Sequence, residues 1–325
     1  MKKIIVTGGA GFIGAHLVKL LADQPDTMIH VIDNFSQSRN NILTRANVQY
    51  HELDICDAKN LTKIFLELTP DTVFHFAAIA NVPDSVSDPA KYYRTNVVGS
   101  YNLLEATRAS GCSKLIFSSS ASVYGEPGSE VILEDHPKKP TNPYGRTKLV
   151  MEEMLKEYFA AYRISSISFR YFCAAGADPD GELGEYHTPE THVIPSILET
   201  IRGQRDMFSI FGTDYPTPDG TGIRDYIHVV DLAQAHICAL HKLDTDELCT
   251  QYNLGINKGF SVRELIDTAE RITETKLTYT EKDRRPGDPS RLIADATRAM
   301  NELAWQPQFT NIEDIIRTAY QSQAK

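Results

Sequence analysis

An α/β fold with a doubly wound parallel sheet is predicted by three features of this 325-residue chain. Short β-branched runs alternate with segments of helical period through the first half. The first run opens straight into a glycine-rich turn, and the second ends on an acid. From about Tyr171 the rhythm breaks, which predicts a smaller C-terminal α/β portion.

The elements follow in order. Lys3-Ile4-Ile5-Val6-Thr7 has the composition of a buried parallel strand, and His16 to Leu21 has helical spacing. Between them Gly8, Gly11 and Gly14 follow G-x-x-G-x-x-G. Glycines there allow a tight turn, approach of the backbone to a pyrophosphate and close helix–strand packing. Met28 to Ile32 forms the next strand and ends in Asp33. A carboxylate at that place can accept from an adenosine ribose and repels a 2′-phosphate, so NAD is expected rather than NADP. Together these make the first half a Rossmann-type nucleotide-binding fold.

Val48 to Leu53 reads as a strand closing on Asp54-Ile55, an expected adenine contact. Leu61 to Leu68 reads as helix, Thr72 to Phe76 as strand, and Ala77-Ala78-Ile79-Ala80 as the loop after it. A long helix is expected around Asn96 to Ser110, then a strand from Lys114 running into Ser118-Ser119-Ser120. Thr141-Asn142-Pro143 reads as a helix start, with Asn142 as N-cap and Pro143 in the first helical position. Ile164 to Arg170 follows as a strand. Loops then lengthen, with Gly, Pro and Asp gathering at 178–190 and 214–222. We divide the chain into a nucleotide-binding portion, 1–170, and a substrate-binding portion, 171–325, with some segments returning to the first.

Composition narrows the classes of function. The formal charge of −10 argues against nucleic acid and requires local cations at any site for an anionic ligand. Five scattered cysteines have neither disulfide nor metal-ligand spacing, so a reducing cytoplasm and no metal are expected. The N-terminal apolar run is cut by Gly8 and Gly9, and no later segment is long enough to span a bilayer.

Chemistry enters at Tyr144-Gly-Arg-Thr-Lys148, which puts a phenol and an ammonium on one helix face. The positive end of the helix and the lysine charge are both expected to lower the phenol's pKa. That makes Tyr144 a candidate proton acceptor for an alcohol. Such a spacing is common on solvated helices, and here the glycine turn and Asp33 give it an oxidant to work with.

Gly8 to Gly14, Asp33, Asp54-Ile55, Asn96, Ser118 to Ser120, Tyr144-x-x-x-Lys148 and Arg170-Tyr171-Phe172 together resemble the extended short-chain dehydrogenase/reductase family. The segment from Ile210 to His228, with Arg284-Arg285-Pro286-Gly287-Asp288, is similar to that of UDP-glucose 4-epimerases. The resemblance spans essentially the whole chain. It implies bound NAD held by Gly8, Gly11, Phe12, Ile13, Gly14, Asp33, Asn34, Asp54, Ile55, Phe76, Ala77, Ala78, Asn96, Ser118, Tyr144, Lys148 and Tyr171. It implies catalysis by Tyr144, Lys148 and Ser120 through a transient 4-keto sugar, interconverting UDP-galactose and UDP-glucose. Ser120 and Tyr144 would meet the sugar, Arg224 and Arg285 the diphosphate, Asp288 the uridine ribose and Phe211 the uracil. Phe172, Cys173 and Leu292 complete the implied substrate set, and a homodimer through the two long helices is expected.

Three positions depart from that pattern. Cys173 stands where the family commonly has asparagine, Ala80 where some members carry lysine, and Leu292 where residue size bears on 2-acetamido sugars. Two readings therefore stay open beside the first: a 4-epimerase of another UDP-sugar (N-acetylhexosamine, pentose or uronic acid), and a catalytically silent NAD sensor. Ser120-Ala121, lacking an acid/base pair, argues against a 4,6-dehydratase.

Overall fold

A computed structural model describes residues 1–37, 41–128, 131–187, 190–285 and 288–322. Its centre is a seven-stranded parallel sheet. In spatial order the strands are Cys249–Leu254, Ser165–Tyr171, Lys114–Ser120, Thr72–His75, Lys2–Thr7, Thr27–Asp33 and Val48–Glu52. The order reverses beside Lys2–Thr7, so a crevice opens at the carboxyl ends of the central strands. The glycine turn, Asp33 and Ser118 to Ser120 all lie at those ends.

Burial explains the strand composition. Ile4, Val6, Val31, Phe74, Ile116, Ile167 and Phe169 pack on one face, with the helices Phe12–Ala22 and Val229–Thr245 over them. Ile5, Val73, Leu115 and Phe117 point to the other face, under Ala58–Leu68, Ser100–Ala109 and Pro143–Tyr162. The Ser165–Tyr171 strand is buried throughout although it carries serines and an arginine.

The region expected as one helix from Asn96 differs. Helical backbone starts at Pro89, capped by Asp88, whose carboxylate accepts from the Lys91 N–H at 3.3 Å. It then widens into a π-helical stretch, Tyr93–Gly99, before Ser100–Ala109 continues as α-helix. Asp88-Pro89 is a start signal of the same kind as Asn142-Pro143, so the earlier beginning is legible in the residues.

Beyond Tyr171 a second layer forms. Ile223–His228 pairs antiparallel with Gly259–Ser261 and parallel with both Arg291–Leu292 and Cys173–Ala175. Phe208–Phe211 pairs with Tyr279–Lys282. Helices Val193–Ile201, Val262–Thr273 and Ile312–Ser322 cover a core of Ile194, Leu198, Ile210, Leu265 and Ile315. Cys249–Leu254 returns from this part of the chain to the edge of the main sheet.

Candidate active site

The glycine turn is close-packed in the way a dinucleotide site needs. Gly8 has φ +71°, and a Cβ there would stand 2.5 Å from the Ala77 backbone nitrogen. A Cβ at Gly14 would stand 2.3 Å from the Gly8 carbonyl oxygen. Gly11 precedes the Phe12–Ala22 helix and offers it no side-chain cap, so the first N–H groups there remain suited to phosphate oxygens. Asp33 closes the turn from the next strand, accepting from the Ala10 N–H at 3.1 Å and the Phe35 N–H at 2.8 Å. These residues fit NAD. We predict that Gly8→Ala loses the nucleotide, because both the positive φ and the Ala77 contact forbid a side chain. Nucleotide content of the purified variant checks this, and a wild-type content would refute it.

Other expected nucleotide residues take several places. Asn34 donates to the Asp54 carboxylate at 3.0 Å, and the Cys56 N–H reaches its other oxygen at 2.8 Å. Ile55 is packed into the core with Leu61 and Phe65, so only its backbone faces a ligand role. Phe12 sits edge-on to His16 at 5.4 Å, and Phe76 lies 4.9 Å from the His236 ring, which fixes both aromatics from behind. Ile13 packs against the core on the other face of the sheet, that of Ile4, Val6 and Phe74. Ala77 follows the Thr72–His75 strand, and its N–H is held by the Thr7 carbonyl at 3.1 Å, with Ala78 next.

Asn96 is engaged by the protein itself. Its amide donates to the Ile79 carbonyl at 3.0 Å and to Thr147 Oγ1 at 3.1 Å, and accepts from the Ile79 N–H at 2.9 Å. It thereby latches the 77–80 loop to the helix that carries Tyr144. Behind it runs a chain of side chains that sequence reading missed. Ser100 Oγ donates to the Asn96 carbonyl at 2.7 Å, so it accepts from His75 Nε2 at 2.8 Å. His75 Nδ1 then accepts from the Thr7 hydroxyl at 2.7 Å. Burial brings His75 down to about 3, consistent with this neutral form.

The catalytic helix begins as the residues predict. Asn142 accepts from the Gly145 N–H at 2.9 Å, Pro143 follows it, and Tyr144 and Lys148 are both buried on one face. Lys148 Nζ donates to the Ser118 carbonyl at 2.7 Å and lies 5.8 Å from the centre of the Tyr144 ring. Ser120 Oγ accepts from the Ser122 N–H at 3.1 Å, and its hydroxyl favours the charged form of the Tyr144 phenol.

One expectation is overturned. Burial pushes the Tyr144 phenol up to about 12, with only the Ser120 hydrogen bond pulling it back. Burial also brings the Lys148 ammonium down to about 7. The helix end and the lysine do not make an acidic phenol on their own. Exposed helix-dipole effects are about 0.3–1 kcal/mol, too small to offset removal of a charge from water. The lysine is itself desolvated, which favours its neutral form.

This has a consequence for stability. Lys148 binds its proton more weakly in the fold (about 7) than unfolded (10.5). Between those values the unfolded chain holds more protons, so the penalty for burying Lys148 shrinks as pH rises and is largest below 7. Lys148→Met is therefore expected to stabilise the nucleotide-free chain more at pH 7 than at pH 10, in urea titrations at both. An equal gain at the two values would refute this.

Tyr171 is spent internally. His236 Nδ1 bonds the Leu232 carbonyl at 2.7 Å, so its Nε2 accepts from the Tyr171 hydroxyl at 2.7 Å. A larger buried network also escaped sequence reading. Arg170 and Glu152 form a two-pronged ion pair, Nε to Oε1 at 2.9 Å and Nη2 to Oε2 at 2.7 Å, with both side chains at 0 % exposure. Ser119 donates to Glu152 at 2.6 Å, and Tyr124 links Arg170 to Asn253 through two 2.7 Å bonds. Glu152 lies one turn beyond Lys148, so the pair joins the catalytic helix to the Ser165–Tyr171 strand, and the Ser119 bond ties the same carboxylate to the strand of Ser118 to Ser120.

The expected substrate residues gather nearby. Phe172 and Leu292, with Leu149, pack on Ala121, Val123, Tyr124 and Ile132, directly after Ser120. Leu292 is in register with Arg224, and Cys173 with Tyr226. Burial pushes the Cys173 thiol up to about 12, against the pull of Arg224, so it stays protonated and unreactive. Arg224 Nη2 stands 3.4 Å from the Asp288 carboxylate while Nη1 donates to the Ile223 carbonyl at 2.8 Å. The Arg285 guanidinium stacks on Phe211, 3.8 Å from its centre. Pro286 and Gly287 of that motif lie outside the described residues.

Comparison with known proteins agrees with this geometry. The model of the NAD dependent epimerase/dehydratase family matches residues 4–255. A UDP-glucose 4-epimerase of Lacticaseibacillus casei is 44% identical over 98% of this chain and 95% of its own. The crystal structure of the Brucella ovis UDP-glucose 4-epimerase in complex with NAD superposes with a TM-score of 0.94. It is 43% identical, over 99% of this chain and 98% of that one. The Bifidobacterium longum enzyme in complex with NAD⁺ and UDP is 35% identical with a TM-score of 0.92, covering 99% and 98%. A glycine cradle for a dinucleotide beside a tyrosine–lysine helix defines a class of nucleotide-dependent enzymes acting on alcohols. Within it, the chain belongs to the NAD dependent epimerase/dehydratase family.

Proposed function

We infer that the protein is an NAD-dependent enzyme that interconverts UDP-galactose and UDP-glucose at C4. The observation that carries this is the meeting of Tyr144, Ser120 and Lys148 at the sheet's carboxyl edge, beside the glycine cradle. Gly8, Gly11, Gly14 and Asp33 would hold NAD, with Lys148 at its ribose. When bound, NAD supplies a hydride acceptor that later returns the hydride, and a positive charge within the pocket. Tyr144, as phenolate, would take the proton from the C4 hydroxyl, and Ser120 would hold the sugar oxygen and relay that proton. Lys148, backed by the Ser118 carbonyl, supports the negative phenol once it forms. The 4-keto sugar turns within the pocket and regains its hydrogen on the other face, so no net oxidation results.

Substrate binding falls to the second half. Arg224 and Arg285 suit the diphosphate, since a guanidinium offers paired donors. Asp288, already beside Arg224, suits the ribose. Arg285 covers one face of Phe211, so a uracil would take the other face or displace it. Leu292, Phe172 and Cys173 line the sugar end, where Leu292 sets the room for a 2-substituent. We place the protein in the cytoplasm: all five cysteines are free. Among the described residues no helix is long and apolar enough to cross a membrane.

The deciding experiment adds UDP-galactose, UDP-N-acetylgalactosamine and a UDP-pentose separately and identifies the product sugars. Absorbance of reduced nicotinamide should grow with UDP-galactose, and UDP-glucose should appear. A silent sensor would show neither. A pentose product alone would favour the alternative substrate.

A homodimer is the second part of the proposal. Tyr93, Val98, Tyr101 and Tyr162 are exposed on the two helical segments flanking the catalytic strand. Light scattering should give twice the 36.3 kDa chain mass, and a single-chain mass would refute the dimer.

A further inference from the structure

The cysteine spacing led to the expectation of no metal, yet a donor set of another kind is assembled in the second half. Glu185, His187, Glu190 and His192 follow E-x-H-x-x-E-x-H, and one ligating atom from each lies within 4.8 Å of the others. His187 Nδ1 is 3.4 Å from the Glu185 carboxylate and 3.5 Å from that of Glu190. His192 Nδ1 is 2.8 Å and 3.1 Å from the same two groups. A tetrahedral ion with bonds of about 2.0–2.1 Å holds its donors about 3.3–3.4 Å apart. His187 Nδ1 already holds that spacing to Glu185 Oε1 and Glu190 Oε2, while His192 Nδ1 stands closer to Glu185 Oε1 and to the other Glu190 oxygen.

Two further observations point to a ligand. His187 Nδ1 is sealed from solvent yet makes no aligned hydrogen bond among the described residues. The carboxylates of Glu185 and Glu190 are both buried, and Glu190 is oriented by the Thr191 and His192 N–H groups at 2.6 and 2.7 Å. Bonds of that kind fix a ligating group before the ion arrives. Two imidazole nitrogens and two carboxylate oxygens make a zinc-type donor set.

We propose that these four side chains bind one Zn²⁺ ion as a structural cross-link. The segment leading to Glu185 is anchored on the nucleotide-binding half. Lys19 Nζ meets Asp178 at 2.8 Å, and Asn41 exchanges bonds with Gly184 at 3.0 and 3.2 Å. On the other side, His192 precedes the Val193–Ile201 helix, whose Ile194, Ile197 and Leu198 belong to the second core. The ion ties the first half to the second at a place that shares no residue with the Tyr144 site.

The test uses untagged, NAD-loaded protein, stripped with a chelator and titrated with Zn²⁺ alone at pH 7.5. One equivalent should bind with submicromolar affinity, and the thermal midpoint should rise by about 3 °C or more. His192→Gln, a change at a half-exposed position, should weaken binding by about tenfold or more. His187→Gln with His192→Gln should abolish it while NAD content stays at the wild-type level. The proposal is overturned if the stripped protein takes up no zinc, which would leave two charged histidines paired with two carboxylates. It is equally overturned if the double variant binds zinc as the parent does.

Discussion

Tyr144→Phe should reduce turnover by about a thousandfold or more while fold and bound NAD persist. The ring is buried, and phenylalanine keeps every packing contact it makes. Thr147 donates to the backbone carbonyl of Tyr144, at 2.7 Å, and not to its ring, so the helix turn is untouched. What the variant loses is the phenolic oxygen, which as phenolate would accept the substrate proton. Circular dichroism and nucleotide content should match wild type, with the loss appearing in kcat. A variant retaining a tenth of wild-type turnover would remove Tyr144 from the proton-transfer step.

The prediction rests on chemistry more than on the resting charge of the phenol. With the chain alone, burial holds Tyr144 protonated and brings Lys148 toward neutrality. A pocket that disfavours both charges makes phenolate and ammonium depend on each other and on any positive group sharing the cavity. The phenol is then poised as a base only when the nucleotide is in place. Sequence spacing placed both residues on one face correctly but could not weigh desolvation, which depends on how completely the strands and helices close around them.

That contrast holds across the molecule. Local signals were legible: glycines needing positive φ, an acid ending a strand, Asn142-Pro143 starting a helix. Each is a property of a few neighbouring residues. Less legible were groups whose meaning comes from partners far along the chain. His75 reads as an unremarked strand residue until Thr7, Ser100 and Asn96 surround it. Asn96, expected at the nucleotide, also latches a loop to the catalytic helix, a role that comes only from its distant partners. The histidines and glutamates at 185–192 lie close in sequence, but only the fold brings their ligating atoms together. Arg170 carried a clue in plain view, since an arginine within a wholly buried strand needs a carboxylate, and Glu152 shares a helix face with Lys148.

That pair supplies the second large effect. Arg170→Met should destabilise the protein by about 3–5 kcal/mol, because it strands the fully buried Glu152 carboxylate with Ser119 as its remaining partner in the network. Glu152→Leu should cost a similar amount by stranding the guanidinium, leaving it Tyr124 and the Glu134 carbonyl at 3.0 Å. The double variant removes both charges and should recover much of the loss, since the cost of each single change is an unpaired charge rather than lost attraction. Chemical denaturation of all four proteins measures this cycle. If the double variant were as unstable as the sum of the singles, the two residues would not be acting as a pair. Turnover of the double variant separates stability from positioning: Glu152 holds Ser119, which stands between Ser118 and Ser120 on the strand. If Glu152, held by Arg170, sets the distance between that strand and the Tyr144 helix, kcat should stay depressed after stability has returned. Recovery of both together would confine the network to holding the fold.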